Sequence, residues 1–341
     1  MASENEITTP DNGITRRTAL CLIGSAAAAG AISFPLLGDD SKDLALREML
    51  PTFTGKSRSL LLKLMGEPGY SGQITAGDAA ALAQNEGKST EQLMVDLIPL
   101  ARSYSHAPIS KFFVGSVVRG ASGCLYTGAN IEIPGECLGF AVHAEQSAVS
   151  NAYMHGEKAV TALAVGGAPC GHCRQFINEA SPDGEIMILT PGKPPIKLSA
   201  ILPSAFGPAA LGRKQGAFPI QETKLTLPSP TTNPVIAAAL EAARRAYAPY
   251  SASRSGVAIR SNKGRIYQGS YIENVAFNPS LSPLQIALAQ MFAAGEQYSA
   301  ISAVTLLEVE GAKISQKAVT ETVLGAIAPT VKLEHVYARV G

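Results

Sequence analysis

The sequence predicts an α/β fold in which helices pack on a mixed sheet, present twice and preceded by a helical segment. Three observations support this prediction. Strand-like runs alternate with helix-like runs from Phe112 onward, and a stretch that begins at Ala107 recurs from Ala248. Apolar residues between about Ser41 and Leu100 follow a helical spacing instead. At roughly 100–200 residues per domain, the 341 residues make two domains the expected number.

The order of elements in the first copy follows from the apolar runs and the turns between them. A Gly-Ala-Ser-Gly turn joins the first two predicted strands. We predict strands over residues 114–118, 123–128, 160–165 and 186–190 and helices over residues 143–154 and 169–179. Strands that alternate with helices in this way indicate helices packed on a mixed sheet.

An internal repeat predicts the second copy. The match from Ala107 to Glu132 against Ala248 to Glu273 has no gap, and 10 of its 26 positions are identical. Matching turn glycines and apolar strand positions imply the same fold twice. A proline-rich stretch between the copies is typical of an extended linker. We therefore divide the chain into residues 1–40 (leader or extension), 41–100 (helical segment), 101–215 (first domain), 216–234 (linker) and 235–341 (second domain).

Composition, charge and the cysteine count disfavour several classes of protein. Apolar residues make up 46% and charged residues 16% of the chain, which is enough for a substantial core. A net charge of +1 argues against affinity for nucleic acid through phosphate neutralisation. No apolar run reaches the roughly 18 residues of a membrane span, and five cysteines are too few for a disulfide framework. The remaining class is an intracellular type of enzyme.

The first forty residues resemble a twin-arginine export signal. Arg16 and Arg17 precede a small-residue apolar stretch that ends before Pro35. The residues before that stretch include Glu4 and Glu6, so the region is not net basic, and a dispensable, partly helical extension stays open. We expect a cytoplasmic protein, with export through this leader as the alternative.

One group of residues carries metal chemistry. His143 and Glu145 are separated by one alanine, and Cys170 and Cys173 follow Pro169 in a Cys-x-x-Cys pattern. This H-x-E…P-C-x-x-C pattern is the signature of zinc deaminases. Catalytic zinc has three protein ligands and an open position for water, and one histidine and two cysteines supply three ligands. The ligands lie at predicted helix starts, where the helix dipole favours thiolate, and Glu145 can reach the open position as a proton carrier.

Other interpretations explain parts of this pattern. A lone His143 is more often a core histidine, and a lone Cys-x-x-Cys is a structural zinc half-site or a redox pair. A structural zinc site has four protein ligands, for which His172 and Cys137 are the candidates. The joint pattern favours a catalytic site with one Zn²⁺ per chain.

Further stretches extend the likeness beyond the metal motif. They are Ile109-Ser110-Lys111-Phe112, Gly128-Ala129-Asn130-Ile131-Glu132, Val142-His143-Ala144-Glu145-Gln146, Pro169-Cys-Gly-His-Cys-Arg-Gln-Phe176, Ala205-Phe206-Gly207-Pro208, Pro249-Tyr-Ser251 with Ser255-Gly-Val257, and Ala276-Phe-Asn-Pro279 with Pro283-Leu-Gln285. With them the chain resembles the two-domain, homodimeric class of cytidine deaminase from about Ser41 to its C-terminus. The resemblance implies a three-layer α/β/α fold in each domain and hydrolytic deamination of cytidine and 2′-deoxycytidine in pyrimidine salvage.

The resemblance also implies roles for individual residues. Glu145 would pass a proton first to N3 of the pyrimidine and then to the departing amine. The implied substrate-binding residues are Asn130 and Glu132 at the ribose, Ile131 between them, Phe112 against the pyrimidine, the backbone of Ala144 at the base edge, and Phe206 as an aromatic that closes the pocket near a subunit boundary.

Two of these assignments have structural alternatives. Phe112 could belong to the core, with Phe113 facing the pocket in its place. Glu132 has a copy at Glu273, so part of its role could be structural, whereas the counterpart of Asn130 is Tyr271.

The second copy lacks the residues for this chemistry. After a one-residue adjustment, Pro283-Leu-Gln285 stands where the first copy has His143-Ala-Glu145, and no cysteine follows Cys173. Proline cannot bind zinc and glutamine cannot carry the proton. We predict that the first domain is catalytic and that the second is a degenerate scaffold.

Two rival functions share the metal motif. A polynucleotide cytosine deaminase needs a basic groove and stacking aromatics, but tryptophan is absent and aromatics are only 6% of this chain. A non-catalytic, zinc-stabilised nucleoside-binding module is the other rival, and a fourth protein ligand on the metal would favour it.

Overall fold

The computed structural model describes residues 50–180, 185–213 and 222–341. The predicted leader of residues 1–40 lies outside the described residues, as do the start of the helical segment and part of the predicted linker. Across the described ranges, every helix is too short or too polar to traverse a lipid bilayer.

Helices and strands alternate after an N-terminal group of helices, as the sequence predicts. The α-helices are α1 (Gly55–Gly66), α2 (Ala76–Glu86), α3 (Thr90–Asp96), α4 (Ile98–Arg102), α5 (Ala144–Met154), α6 (Gly171–Glu179), α7 (Leu198–Ile201), α8 (Pro234–Arg244), α9 (Pro283–Ala293) and α10 (Lys317–Ile327). The strands are β1 (Gln73–Ile74), β2 (Gly115–Gly120), β3 (Leu125–Ala129), β4 (Val160–Val165), β5 (Met187–Leu189), β6 (Ile196–Lys197), β7 (Leu225–Thr226), β8 (Ser255–Ser261), β9 (Ile266–Ser270), β10 (Ile301–Val309) and β11 (Leu333–Val340).

The strands of the described residues form two mixed sheets. The first has six strands in the order β1-β3-β2-β4-β5-β6, and the second has five in the order β7-β11-β10-β8-β9. Only β4 with β5 and β10 with β11 pair in parallel within these described sheets. The order β3-β2-β4-β5 in the first sheet matches β9-β8-β10-β11 in the second, so the predicted repeat of the fold is confirmed.

Each sheet is covered by helices on both faces. On the first sheet, Val117 and Ala162 pack with the N-terminal helices, and their strand neighbours Val118 and Leu163 pack on the other side with α5 and α6. Alternate residues of a strand point to opposite faces, so this pattern places the sheet between two helix layers. On the second sheet, Ala258 packs with α8, while Val257 and Ile259 join the same central core as α5 and α9. The three-layer prediction is confirmed in both domains.

Glycine allows α5, the helix that starts after His143, to approach the first sheet closely. A Cβ at Gly128 would lie 2.1 Å from the backbone nitrogen of Ala148 in α5. The repeat preserves this approach, because a Cβ at Gly269 would lie 2.4 Å from the backbone nitrogen of Ala287 in α9. Both glycines are therefore needed for helix–sheet packing and not for an unusual backbone angle.

The structure corrects the alignment of the two helix starts. Ile131 bridges Val142 in the first domain, and Ile272 bridges Leu281 in the second, so the register changes by two residues between the copies. The predicted one-residue adjustment is wrong. His143 therefore corresponds to Ser282, the residue that caps α9, and Glu145 corresponds to Leu284.

In the corrected register, Ser282 and Leu284 of the second domain stand where the first domain has His143 and Glu145. The Ser282 hydroxyl accepts a hydrogen bond from the Gln285 N–H at 3.3 Å, which makes it an N-cap. Leucine at position 284 has no proton to exchange. Gln285 corresponds to Gln146, because the side-chain oxygen of each accepts from the backbone N–H three residues earlier, at 3.0 and 3.1 Å.

Part of the predicted linker belongs to the second sheet. Leu225 and Thr226 form β7, which pairs antiparallel with the end of β11. Leu225 is fully buried there among residues of α8 and β11. The prolines predict an extended backbone for this stretch, and Leu225 and Thr226 form an edge strand of the second sheet.

Candidate active site

Two helix starts bring the predicted metal ligands together. His143 is the N-cap of α5, and Cys170 is the N-cap of α6, so Cys173 lies in the first turn of α6. The Cys170 Sγ accepts the Cys173 N–H at 3.4 Å, which fixes the local fold of the Cys-x-x-Cys. Helix N-termini stabilise negative charge, so the start of α6 favours a thiolate at the exposed Cys170.

The three ligand atoms have a geometry that fits a metal ion. His143 Nδ1 lies 3.5 Å from the Cys170 Sγ and 3.3 Å from the Cys173 Sγ. All three donor atoms lie within 4.8 Å of one another, a spread that a tetrahedral zinc can bridge. One imidazole and two thiolates are donors that zinc prefers.

The two cysteine thiols differ in acidity. The hydrogen bond from Cys173 lowers the pKa of the Cys170 thiol to about 4. The same hydrogen bond, together with burial, raises the pKa of the Cys173 thiol. A metal ion held by these residues would need both thiols deprotonated, so metal affinity would depend on pH.

Among the described residues, the His/Cys/Cys group has no fourth protein ligand. His172 faces Gln146, with its Nε2 at 3.2 Å from the amide nitrogen of that residue. Cys137 lies on an exposed loop and does not join the group. This arrangement disfavours the structural zinc site that the sequence left open.

Glu145 lies beside the predicted metal ligands and is almost fully buried. Its exposed fraction is 6%, and it lies in the first turn of α5, two residues after His143. Burial raises the pKa of its carboxyl group. A carboxyl group with a raised pKa is suited to take up and return a proton near neutral pH.

A cavity of about 660 Å³ opens in front of these residues. His143, Cys170 and Glu145 are among its lining residues. The other lining residues include Ser110, Phe112, Phe113, Val114, Asn130, Glu132, Ala144 and the small stretch Gly166-Gly167-Ala168. We call it the active-site cavity, and its volume is in the range of small-molecule sites.

The aromatic residues at this cavity are not core residues. Phe112 is 71% exposed and Phe113 is 40% exposed, and both line the active-site cavity. The core alternative for Phe112 is therefore wrong, and the sequence pattern could not separate the two neighbouring phenylalanines.

Asn130 holds the aromatic loop through its side chain. Its Oδ1 accepts from the Val114 N–H at 2.8 Å, and its Nδ2 donates to the Phe112 carbonyl at 2.9 Å. The Ser105 hydroxyl also donates to Oδ1. Asn130 lines the active-site cavity, but much of its hydrogen-bonding capacity shapes the loop that carries Phe112.

Glu132 and its copy Glu273 make the same turn contacts. The Glu132 Oε2 accepts from the N–H groups of Ile109 and Ser110 at 2.7 and 3.0 Å. The Glu273 Oε2 accepts from Tyr250 and Ser251 at 2.7 and 3.2 Å. The structural role that the repeat suggested is present in both domains, and only Glu132 lines the active-site cavity.

The remaining predicted contacts fall in different places. Ala144 is buried and lines the active-site cavity. Ile131 is also buried, but its side chain belongs to the central core. Phe206 is 49% exposed and is not among the residues that line the active-site cavity. Its backbone carbonyl accepts a hydrogen bond from Gln175 Nε2 at 2.8 Å.

Second-domain residues support the site, and sequence reasoning missed them. The Tyr298 hydroxyl donates to the Glu132 carbonyl at 3.0 Å. The His106 ring packs against Phe292 and Tyr298 at centroid distances of 5.3 and 4.9 Å. These contacts join residues far apart in the chain, so neither periodicity nor motif spacing could indicate them.

Comparisons with known proteins agree with this geometry. A family profile described as the cytidine and deoxycytidylate deaminase zinc-binding region matches residues 88–190, and a second profile with the same description matches residues 198–321. The chain is similar to the cytidine deaminase of Vibrio atlanticus, with 40% identity over 278 residues that cover 82% of this chain and 94% of that relative. It is also similar to the cytidine deaminase of Vibrio cholerae, with 41% identity over 292 residues that cover 85% of this chain and 97% of that relative.

The chain belongs to the cytidine deaminase family. The crystal structure of cytidine deaminase from Mycobacterium tuberculosis aligns with 34% of this chain and 96% of that chain, at 30% identity and a TM-score of 0.32. The match to the zinc-binding-region profile over residues 88–190 spans His143, Glu145, Cys170 and Cys173. Zinc is the metal cofactor of this chain, and the donor set fits it.

Proposed function

We propose that the chain converts cytidine and 2′-deoxycytidine to uridine and 2′-deoxyuridine, with consumption of water and release of ammonia. One observation carries the proposal: a buried carboxyl, Glu145, lies beside a group of three potential metal ligands, and Glu145, His143 and Cys170 line the active-site cavity. A group that exchanges protons next to an open metal position is the arrangement that hydrolysis of an exocyclic amine needs.

We propose His143, Cys170 and Cys173 as the zinc ligands. Their three donor atoms cluster within 4.8 Å, and no fourth ligand joins them in the described residues. Zinc bound there supplies Lewis-acid chemistry, which lowers the pKa of a water molecule to about 7.

Glu145 is the proposed proton carrier. Its burial raises its pKa, so the carboxyl group can be protonated and deprotonated within one turnover. It would donate first to N3 of the pyrimidine and later to the leaving amine. The buried first turn of α5 excludes bulk water from this exchange, because Ala144 and Gln146 are also buried.

The rest of the active-site cavity would orient the nucleoside. The exposed faces of Phe112 and Phe113 offer an apolar surface for the pyrimidine ring. We propose that Asn130 and Glu132 contact the ribose, because both line the active-site cavity. Their side chains also hydrogen-bond to the backbone of the loop that contains Ser110 and Phe112. The Ala144 backbone is the proposed contact for the base edge.

A homodimer is the proposed assembly. Several large apolar side chains of the described surface are exposed, among them Leu138 at 74%, Phe277 at 65% and Phe206 at 49%. A second copy that covers these side chains would remove apolar area from water. Sedimentation velocity tests this proposal, and a species with the mass of one 35.4 kDa chain at micromolar concentration would contradict it.

We propose the cytoplasm as the location, with export through the leader as the alternative. The support is chemical, since thiolate zinc ligands persist where thiols stay reduced. N-terminal sequencing of the mature chain from the native host decides between the two locations.

Turnover of cytidine by the purified chain tests the proposed function. We expect an ultraviolet absorbance change with cytidine and with 2′-deoxycytidine, and its loss after treatment with a strong zinc chelator. A single-stranded DNA that contains cytosine serves as the second substrate. Deamination of the DNA without turnover of free nucleosides would overturn the proposal in favour of a polynucleotide enzyme.

A further inference from the structure

One segment of the second domain contacts the C-terminal ends of both metal-bearing helices. This segment, residues 245–250, follows α8 and is called here the clamp segment. Helix α5 begins after His143, and α6 carries Cys170 and Cys173 at its start. The far ends of these two helices meet the clamp segment.

The end of α5 is held by an arginine. The Arg245 guanidinium donates to the carbonyl of Met154 at 2.9 Å and to the carbonyl of Tyr153 at 3.4 Å. The Tyr153 hydroxyl donates in return to the Arg245 carbonyl. Carbonyls in the last turn of a helix lack intrahelical partners, and a cation there also complements the helix dipole.

The end of α6 is held by two tyrosines. Glu179, the last residue of α6, is 2% exposed. Its carboxylate accepts from the hydroxyls of Tyr247 and Tyr250 at 2.7 and 2.5 Å and from the Val275 N–H at 3.1 Å. All three donors belong to the second domain.

The electrostatics of Glu179 make these donors necessary. A carboxylate at a helix C-terminus lies at the unfavourable end of the dipole, and a buried charge is costly unless it is hydrogen-bonded. Without the second domain, the end of α6 would have to move toward water. One turn earlier, Asn274 Nδ2 donates to the Gln175 carbonyl at 3.0 Å. Gln175 and Glu179 are four residues apart on the same face of α6, so the second domain contacts this face at two positions.

We infer that Arg245, Tyr247 and Tyr250 are positioning residues for the metal site. The clamp segment fixes the far ends of α5 and α6, and thereby holds His143 in register with Cys170 and Cys173. This inference rests on the proposed function, in which those three residues bind zinc. It also gives the degenerate domain a role in the reaction, although that domain has no metal ligands of its own among the described residues.

Zinc-release rates test the inference on the full-length holoenzyme. The test variants are Arg245→Ala and the double variant Tyr247→Phe with Tyr250→Phe. Matched controls are Arg244→Ala, whose guanidinium donates to the Leu225 carbonyl within the second domain, and Tyr267→Phe, which removes a buried hydroxyl that does not reach Glu179. Release is measured with a chromogenic chelator well below the unfolding temperature, beside the thermal midpoint of each variant.

We expect both test variants to release zinc at least about tenfold faster than the wild type, and both controls to stay within about twofold. If test and control variants release zinc at equal rates, or if release follows only the thermal midpoint, the clamp segment merely joins the domains and the inference is overturned. Should the double variant fail to fold, Tyr250→Phe alone is compared with Tyr267→Phe by the same criterion. Absence of cytidine turnover by the zinc-loaded wild type would defeat the proposed function separately.

Discussion

At the residue scale, Glu132 combines a structural role with a place at the substrate cavity. Its carboxylate closes the turn at Ile109 and Ser110, as Glu273 closes the corresponding turn in the second domain. Glu132 also lines the active-site cavity, whereas Glu273 is 3% exposed and does not. Glu132 and Glu273 therefore share the structural role in the turn, and only Glu132 also lies at the active-site cavity.

Replacing each residue with glutamine separates the two roles. Loss of a charge-assisted hydrogen bond costs about 1.5–3 kcal/mol, so we expect Glu132→Gln and Glu273→Gln both to lower the free energy of unfolding. Only Glu132→Gln should also raise KM for cytidine, by about tenfold. Urea unfolding and steady-state kinetics check this expectation. A similar KM increase in both variants would show that Glu132 acts through the turn alone.

The pH dependence of stability provides a second test of Glu132. Burial alone would raise the pKa of this carboxyl, but hydrogen bonds from Ser110 and Ile109 outweigh it and hold the pKa below the ordinary value of 4.5. The stabilisation is therefore present above pH 4.5 and is lost as the pH falls through the lower folded-state value. We expect the stability difference between wild type and Glu132→Gln to be constant from pH 5 to 7 and to shrink as the pH falls below 4.5. A difference that grows on acidification would contradict this account.

At the scale of elements, the site depends on where two helices begin. The His-x-Glu and Cys-x-x-Cys motifs predicted both helix starts from the sequence. An N-cap and the first helical turn are formed by residues that are close together in the chain, so a short motif can indicate them. The register of α9 against α5 was predicted wrongly, because the connection before α9 is two residues shorter and no motif survives there. The capping glutamines Gln146 and Gln285 could have indicated the correct register, since each follows its N-cap by three residues.

The approach of α5 to the sheet gives a prediction at this scale. In Gly128→Ala the new Cβ would meet the Ala148 backbone nitrogen at 2.1 Å, so the helix that carries His143 must shift. Overpacking of this kind costs about 1–3 kcal/mol, and we expect turnover to fall with stability. Gly77→Ala within α2 is the control, because its Cβ has only a 3.9 Å contact and alanine favours the helix. Chemical denaturation checks both variants, and wild-type stability for Gly128→Ala would refute the close approach.

At the scale of the whole molecule, two similar domains share one core. Val118 and Val149 of the first domain and Val257 and Leu288 of the second belong to the same apolar cluster. The sequence repeat predicted that the fold occurs twice, and alternating strand patterns predicted its layers. The contacts of the clamp segment were not predictable, since Arg245 and Glu179 are polar residues whose partners lie far away in sequence.

The central claim for the molecule is that one metal site in the first domain works with one proton carrier, Glu145. This claim requires that metal binding and proton transfer be separable. Glu157→Gln is the matched control, because Glu157 is another buried glutamate of the first domain, and its carboxylate accepts from the Tyr126 hydroxyl at 3.0 Å, outside the active-site cavity.

The most direct measurement is zinc content together with cytidine turnover for Glu145→Gln. Glutamine preserves the shape of the side chain but cannot exchange a proton, and general acid–base catalysis contributes about 10²–10⁴-fold. We predict one zinc per chain in the wild type, in Glu145→Gln and in the control, with kcat lowered at least about a hundredfold only in Glu145→Gln. Near wild-type turnover in Glu145→Gln, or loss of its zinc, would contradict the account.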